Sequence, residues 1–269
     1  MQASFDDLFA IHGKTALVTG GSRGIGEMIA AGFLANGVKV YISSRKSDVC
    51  DATADRLAQA YGGECVSLPA DLSQITGVES LAARLAERES RLDILVNNAG
   101  ASWGAPLESF PESGWDKVMD TNVKGVFFLT QKLLPLLRNA AADGAPARVI
   151  NIGSVDGLKT AAFETFSYGA SKAALHHLTR FMAAHLTKER ILFNAIAPGP
   201  FPTWMLSTGV GFRGETENVD WGSVGRRNPS GRVGSPEDIA GLAIFLASRA
   251  GEYVVGQTIA CDGGAVAAS

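Results

Sequence analysis

Seven short apolar runs recur along this chain: TALV, KVYIS, CVSL, ILVN, RVINI, LFNAI and QTIA. They correspond to Thr15–Val18, Lys39–Ser43, Cys65–Leu68, Ile94–Asn97, Arg148–Ile152, Leu192–Ile196 and Gln257–Ala260. Runs such as TALV and RVINI are nearly continuous in apolar residues rather than alternating, which is how a strand covered on both faces reads. Between the runs lie stretches with helical spacing, among them Gly24–Asn36, Ser80–Arg88, Trp115–Arg138, Tyr168–Thr187 and Pro236–Ala247. Strand–helix alternation of this kind implies right-handed βαβ units. The expected fold is α/β: a single-domain, Rossmann-type doubly wound sheet of about seven parallel strands with helices on both faces, formed by residues 1–269 together. Pro135, inside the third of those helices, should kink it or shift its hydrogen bonds. The one irregular segment, residues 198–234, is rich in Gly, Pro and Ser with weak helix and strand signals. A loop of this length in a compact domain is usually a lid or a binding loop, and it is read as a substrate loop.

A chain of 269 residues, 46% of them hydrophobic, can bury a core without staples. The net charge of −3 gives no electrostatic case for nucleic acid. Cys50, Cys65 and Cys261 are odd in number and far apart, with no CxxC spacing, so neither a disulfide framework nor a metal site is expected. The opening MQASFDDLFAIHGK does not read as a signal peptide, and no apolar span reaches the roughly 18 residues a bilayer crossing needs. The expectation is a cytoplasmic protein with no membrane partner.

After the first run, TGGSRGIG (Thr19–Gly26) leads straight into a helical stretch. Gly20, Gly24 and Gly26 let the backbone turn sharply and approach an anion, and the helix N-terminus offers it unpaired N–H groups. A glycine-rich turn can exist without a ligand. Placed after a first strand and opening a helix, this one reads as a dinucleotide site that includes Ser22, Arg23 and Ile25. The second strand ends ISSRK, where NAD-selective folds carry an acidic group for the ribose 2′-hydroxyl. Ser44 and Arg45 stand there instead, and with Arg23 they suit a 2′-phosphate. The competing reading makes Arg45 a solvated strand-end charge. NADP(H) is therefore expected, with NAD(H) less favoured.

Tyr168 and Lys172 are an i, i+4 pair that project from one helix face. A free phenol, with a pKa of about 10, is a poor base at neutral pH. An ammonium nearby should favour the phenolate, so that Tyr168 exchanges a proton with a carbonyl or alcohol oxygen. Ser154, at the end of RVINI, is placed to hydrogen-bond the same oxygen.

TGGSRGIG, Asp71–Leu72, NNAG at 97–100, Asn122, Ser154, YGASK at 168–172 and PGPFPT at 198–203 together resemble the short-chain dehydrogenase/reductase family over essentially the whole chain. DILVNNAGASWGAPLES and PARVINIGS look especially like its NADPH-dependent 3-oxoacyl reductases. The resemblance implies that Lys172 also binds the nicotinamide ribose and that Asn122 holds a water leading from Lys172 to solvent. It implies adenine contacts at Asp71 and Leu72, and backbone contacts at Asn98, Ala99 and Gly100, with Asn97 pinning the sheet core. It places Ile25 at the phosphates, and Pro198, Gly199, Phe201 and Thr203 at the nicotinamide, Phe201 replacing the family's more usual Ile or Val. The gap from Ser154 to Tyr168 is one residue longer than the family's commonest spacing. The resemblance also implies a homo-tetramer, or a homo-dimer, built through the two long helices and the C-terminal strand region.

His176 and His177 point different ways on a helix and make a poor metal pair; with His185 and His12 they are read as structural or surface residues. Asp156 could touch a polar substrate or simply be solvated. Trp103, Phe163, Trp204, Met205 and Phe212 could line an apolar pocket or serve packing. The expected activity is NADP(H)-dependent reduction of a small-molecule carbonyl, or oxidation of a secondary alcohol, with a 3-oxoacyl thioester or similar β-keto compound the best substrate. A sugar, polyol or steroid alcohol dehydrogenase is the alternative. A non-catalytic cofactor-binding regulator is more remote, since Ser154, Tyr168 and Lys172 are all present.

Overall fold

The computed structural model describes residues 5–142, 144–161, 163–208 and 219–268. The seven expected strands all form: β1 (Thr15–Thr19), β2 (Lys39–Ser43), β3 (Cys65–Ser67), β4 (Ile94–Asn97), β5 (Ala147–Ile152), β6 (Ile191–Pro198) and β7 (Thr258–Cys261). They pair in parallel in the order β3-β2-β1-β4-β5-β6-β7. The helices between them are α1 (Gly24–Ala35), α2 (Ser47–Tyr61), α3 (Ile75–Ala86), α4 (Glu112–Met119), α5 (Gly125–Ala142), α6 (Phe166–Leu186), α7 (Trp204–Thr208), α8 (Trp221–Arg226) and α9 (Pro236–Ala247).

The apolar runs are continuous because successive strand residues feed two different cores. Val18, Ile42, Val96 and Ile152 pack with Ile29 and Phe33 of α1 and Ile239 of α9 on one face. Leu17, Tyr41, Leu95 and Val149 pack with Leu81 of α3, Leu129 and Leu133 of α5 and Met182 of α6 on the other. Strand order reverses between β1 and β4, so a crevice opens beyond their carboxyl ends, where open α/β sheets bind ligands.

Two expectations need correction. The helix read as Trp115–Arg138 is not continuous: Asp120–Lys124 form a π-helical turn between α4 and α5, whereas α5 runs on through Pro135. The segment 198–234 is not without helix, since α7 and α8 lie in it; residues 209–218, with Phe212, fall outside the described residues.

Candidate active site

A cavity of about 770 Å³ fills the crevice beyond the strand ends. The glycine loop forms its floor. Thr19 Oγ1, at the end of β1, accepts from the backbone N–H groups of Asn98 and Ala99, each at 3.0 Å. Asn98 Nδ2 donates to the carbonyls of Thr19 at 2.9 Å and Gly20 at 3.1 Å. This lacing ties the ends of β1 and β4 together and leaves no space beside Gly26, where a Cβ would fall 2.4 Å from Gly20 O. Gly20 and Gly24 adopt φ of +63° and +58°, conformations that other residues enter at a cost. The floor is thus a backbone cradle open to an anion at the N-terminus of α1.

Ser22, Arg23, Ser44 and Arg45 line one end of the cavity. Both guanidiniums are exposed, and Arg45 pairs with no carboxylate among the described residues. Burial, and then the neighbouring Arg45, hold Arg23 below the ordinary arginine range. Two cations this close, with no carboxylate partner among the described residues, suit a phosphate dianion. Arg23 also stacks on the Trp204 ring, 4.2 Å from its centroid.

Of the other expected cofactor contacts, Gly24, Ile25, Asp71, Leu72, Ala99, Gly100, Pro198, Gly199 and Thr203 line the same cavity. Gly26 is not among the lining residues and acts from beneath. Asn98 lines the cavity, but its amide donates to the glycine loop, leaving the backbone to face a ligand. Asp71 Oδ1 accepts from Ser73 N and Oγ, closing its own turn. The Phe201 ring is buried in the core and abuts Gly234, so only its backbone is available to a cofactor. Asn97 bonds Asn151 and Thr130 inside the sheet core, as its position implied.

Ser154, Tyr168 and Lys172 meet at the other end of the cavity. Ser154 follows β5 in an extended conformation, and its Oγ accepts from Asp156 N at 3.1 Å. Lys172 Nζ lies 5.5 Å from the Tyr168 ring centroid and donates to Ile152 O at 2.7 Å. Asn122, held in the π-helical turn, accepts from Ala101 N and donates to Ala101 O and Ser171 Oγ. Both amide hydrogens are spent there, so its side chain braces the strand end against α6. Gly100 sits between Asn122 and Lys172: a Cβ on it would stand 3.4 Å from Asn122 Oδ1 and 3.8 Å from Lys172 Nζ.

The electrostatics correct one expectation. Burial pushes the Tyr168 phenol up to about 12, against a hydrogen bond from Ser154 that pulls the other way. Burial likewise pushes Lys172 down to about 8, partly offset by Asp156. In the cleft as it stands, desolvation outweighs any attraction of the ammonium for a phenolate, and the phenol keeps its proton at neutral pH.

Phe163, Trp204 and Met205 line the cavity, whereas Trp103 packs on Gly114 and Lys117 away from it. Asp156 lines the cavity, with its carboxyl raised by burial. His176, read as structural from its spacing, lies directly behind Ser154, its Nε2 3.4 Å from the Ser154 amide. Only the period-four series Tyr168, Lys172, His176 could have signalled it. Among the described residues, no group of three or more His, Cys, Asp or Glu is arranged to hold a metal, and no helix is long and apolar enough to cross a membrane.

The family model described as enoyl-(acyl carrier protein) reductase matches residues 20–266. The chain is 52% identical to the rhamnolipids biosynthesis 3-oxoacyl-[acyl-carrier-protein] reductase of Pseudomonas aeruginosa, over 95% of this chain and 97% of that protein. It is 36% identical to gluconate 5-dehydrogenase of Gluconobacter oxydans, over 97% and 98% of the two chains. The solved structure of the Pseudomonas aeruginosa RhlG/NADP active-site complex superposes with a TM-score of 0.90 at 50% identity, covering 97% of this chain and all of that one. A gluconate 5-dehydrogenase from Burkholderia cenocepacia, in complex with NADP and tartrate, superposes with a TM-score of 0.84 at 32% identity, covering 98% of each chain.

Proposed function

The chain belongs to the short-chain dehydrogenase/reductase family, and on that footing we propose an NADP(H)-dependent oxidoreductase acting on a carbonyl or secondary alcohol, with 3-oxoacyl thioesters or related β-keto compounds as preferred substrates. The observation that carries the reading is the Ser154, Tyr168 and Lys172 cluster, which shares one cavity with the glycine loop and the Arg23–Arg45 pair. The cradle and the exposed guanidinium of Arg45 fit a pyrophosphate and a 2′-phosphate, and NADP occupies the related structures. When bound, the cofactor supplies or accepts the hydride at C4 of its nicotinamide.

The chain's own residues do the rest. Ser154 Oγ hydrogen-bonds the substrate oxygen and fixes it against Tyr168. Tyr168, protonated at neutral pH, gives its proton to that oxygen in reduction. Lys172, anchored to Ile152 O, holds the nicotinamide ribose and, as an ammonium, eases the proton's departure. Asn122 keeps the loop at Ala101 and the helix carrying Ser171 in register. Any water serving Lys172 is left to its backbone carbonyl and the remaining Oδ1 lone pair.

The rival reading is a sugar or polyol dehydrogenase, which the gluconate 5-dehydrogenase relatives favour. Asp156 lines the cavity two residues from Ser154, with Lys159 and Lys172 as the charges acting on it. The apolar side chains of Phe163, Trp204 and Met205 suit an acyl chain instead.

The 198–234 segment is the substrate loop, and the protein works in the cytoplasm as a homo-tetramer or homo-dimer. Exposed Phe127 and Phe181 on α5 and α6 support the assembly. The test is turnover of acetoacetyl-CoA with NADPH, set against a polyol panel with NADP⁺. Tyr168→Phe is expected to cut turnover at least about 1,000-fold while NADPH still binds. Failure of every β-keto substrate, or full activity in Tyr168→Phe, would overturn the assignment.

A further inference from the structure

Behind the strand end that bears Ser154 lies an imidazole that the reaction scheme above leaves unused. His176 is 3% exposed and sits one turn beyond Lys172 on the face of α6 that also carries Tyr168. Its Nε2 accepts from the Ser154 backbone N–H at 3.4 Å, the only acceptor that amide has among the described residues. Two glycines frame the ring. A Cβ at Gly153 would fall 2.0 Å from Nε2, and one at Gly157 would fall 2.8 Å from Cε1. The sequence Gly-Ser-Val-Asp-Gly at 153–157 therefore leaves an imidazole-sized slot directly behind the serine.

A buried N–H is rarely left without an acceptor, so the Ser154 turn depends on that nitrogen. Accepting at Nε2 requires the neutral ring, and burial together with nearby Lys172 holds His176 at about 4. The Ser154 Oγ is tied to the same turn through Asp156 N, and Gly157 N donates to Ser154 O at 3.0 Å. Displacing the amide displaces the hydroxyl with it.

We propose that His176 is a positioning residue of the oxidoreductase: its neutral imidazole holds the Ser154 amide, and through it the hydroxyl that meets the substrate oxygen. The proposal rests on the carbonyl-reductase reading of this site. It links three positions on one helix face, with Tyr168 moving the proton, Lys172 easing the move and His176 setting the serine that aims the oxygen.

The experiment is steady-state reduction of acetoacetyl-CoA by NADPH, with NADPH affinity measured separately by fluorescence. In His176→Leu, kcat is expected to fall about 10- to 100-fold while KM and NADPH affinity stay within about twofold. His176→Gln, whose Oε1 can accept where Nε2 did, is expected to recover most of that loss. If the leucine variant is insoluble, His176→Met supplies the apolar replacement. Added to Ser154→Ala, His176→Leu is expected to cost nothing further, because the group it positions is gone. A wild-type kcat in the apolar variant, a glutamine variant no better than leucine, or losses that add in the Ser154→Ala background would each overturn the proposal. A wild-type enzyme that turns over no ketone with NADPH would overturn the parent reading and this inference together, whereas an active wild type with indifferent His176 variants removes only the inference.

Discussion

Tyr168 and Lys172 meet at a distance that local chain geometry determines, but burial decides their protonation. The spacing of the pair is helical and could be read from YGASK. Their burial depends on the end of β5, the turn at Asp156 and the loop at Ala101, none of which lies within YGASK, and no local pattern announces it. The phenol stands near 12 and the amine near 8 for that reason. The consequence for pH runs in one direction. Lys172 is cationic below about 8 and loses its charge above, so its help to the departing proton fades as pH rises through that value. At saturating NADPH, kcat/KM for ketone reduction is expected to be flat below this region and to decline above it; a profile rising across the same window would contradict the assignment. Arg45 is the opposite case: its place just after β2 could be read from the sequence, and the residue is exposed. Arg45→Asp puts a carboxylate where a 2′-phosphate would lie. It is expected to lower kcat/KM with NADPH by about 100-fold and to leave NADH unchanged or improved, as a two-cofactor comparison will read.

Elements whose pattern is set by their immediate neighbours were the readable ones. The five inner strands emerge from apolar runs because they are buried at nearly every position, whereas the edge strands β3 and β7 are only partly covered and still read as short apolar runs. The α4–α5 region shows where that stops. Apolar spacing runs through Asp120–Lys124 without a break, yet the backbone widens there into a π-helical turn. A contact from a distant part of the chain accompanies it: at Gly125 a Cβ would lie 2.3 Å from Leu72 O, so α5 starts against the turn that follows β3. Gly125→Ala is accordingly expected to destabilise the fold by about 1–3 kcal/mol through overpacking. That corresponds to a melting temperature lower by about 3–10 °C in a thermal melt. An unchanged melt would mean that the turn yields freely. The helices in 198–234 escaped detection for a related reason: α7 and α8 are short, and isolated stretches of that length carry little periodicity.

Across the whole molecule the two cores account for most large apolar side chains, but not for those on the outer faces of α5 and α6. Phe127 is 40% exposed and Phe181 57%, the latter flanked by His177 and His185. In the assembly proposed above, a second copy of the chain would cover these aromatic groups. Phe181→Glu is expected to shift the protein to a smaller species in sedimentation velocity while its circular dichroism stays unchanged; equal sedimentation of the two proteins would place the interface elsewhere. Within one copy, the Arg23–Trp204 stack joins regions that a list of contacts would keep apart, the first turn after β1 and the first helix after β6. A single guanidinium has two suitors there, an indole from the chain and a phosphate from outside. By the function proposed above, the residue that meets the nucleotide's phosphate also touches an aromatic ring lining the same cavity, so cofactor and substrate share one wall.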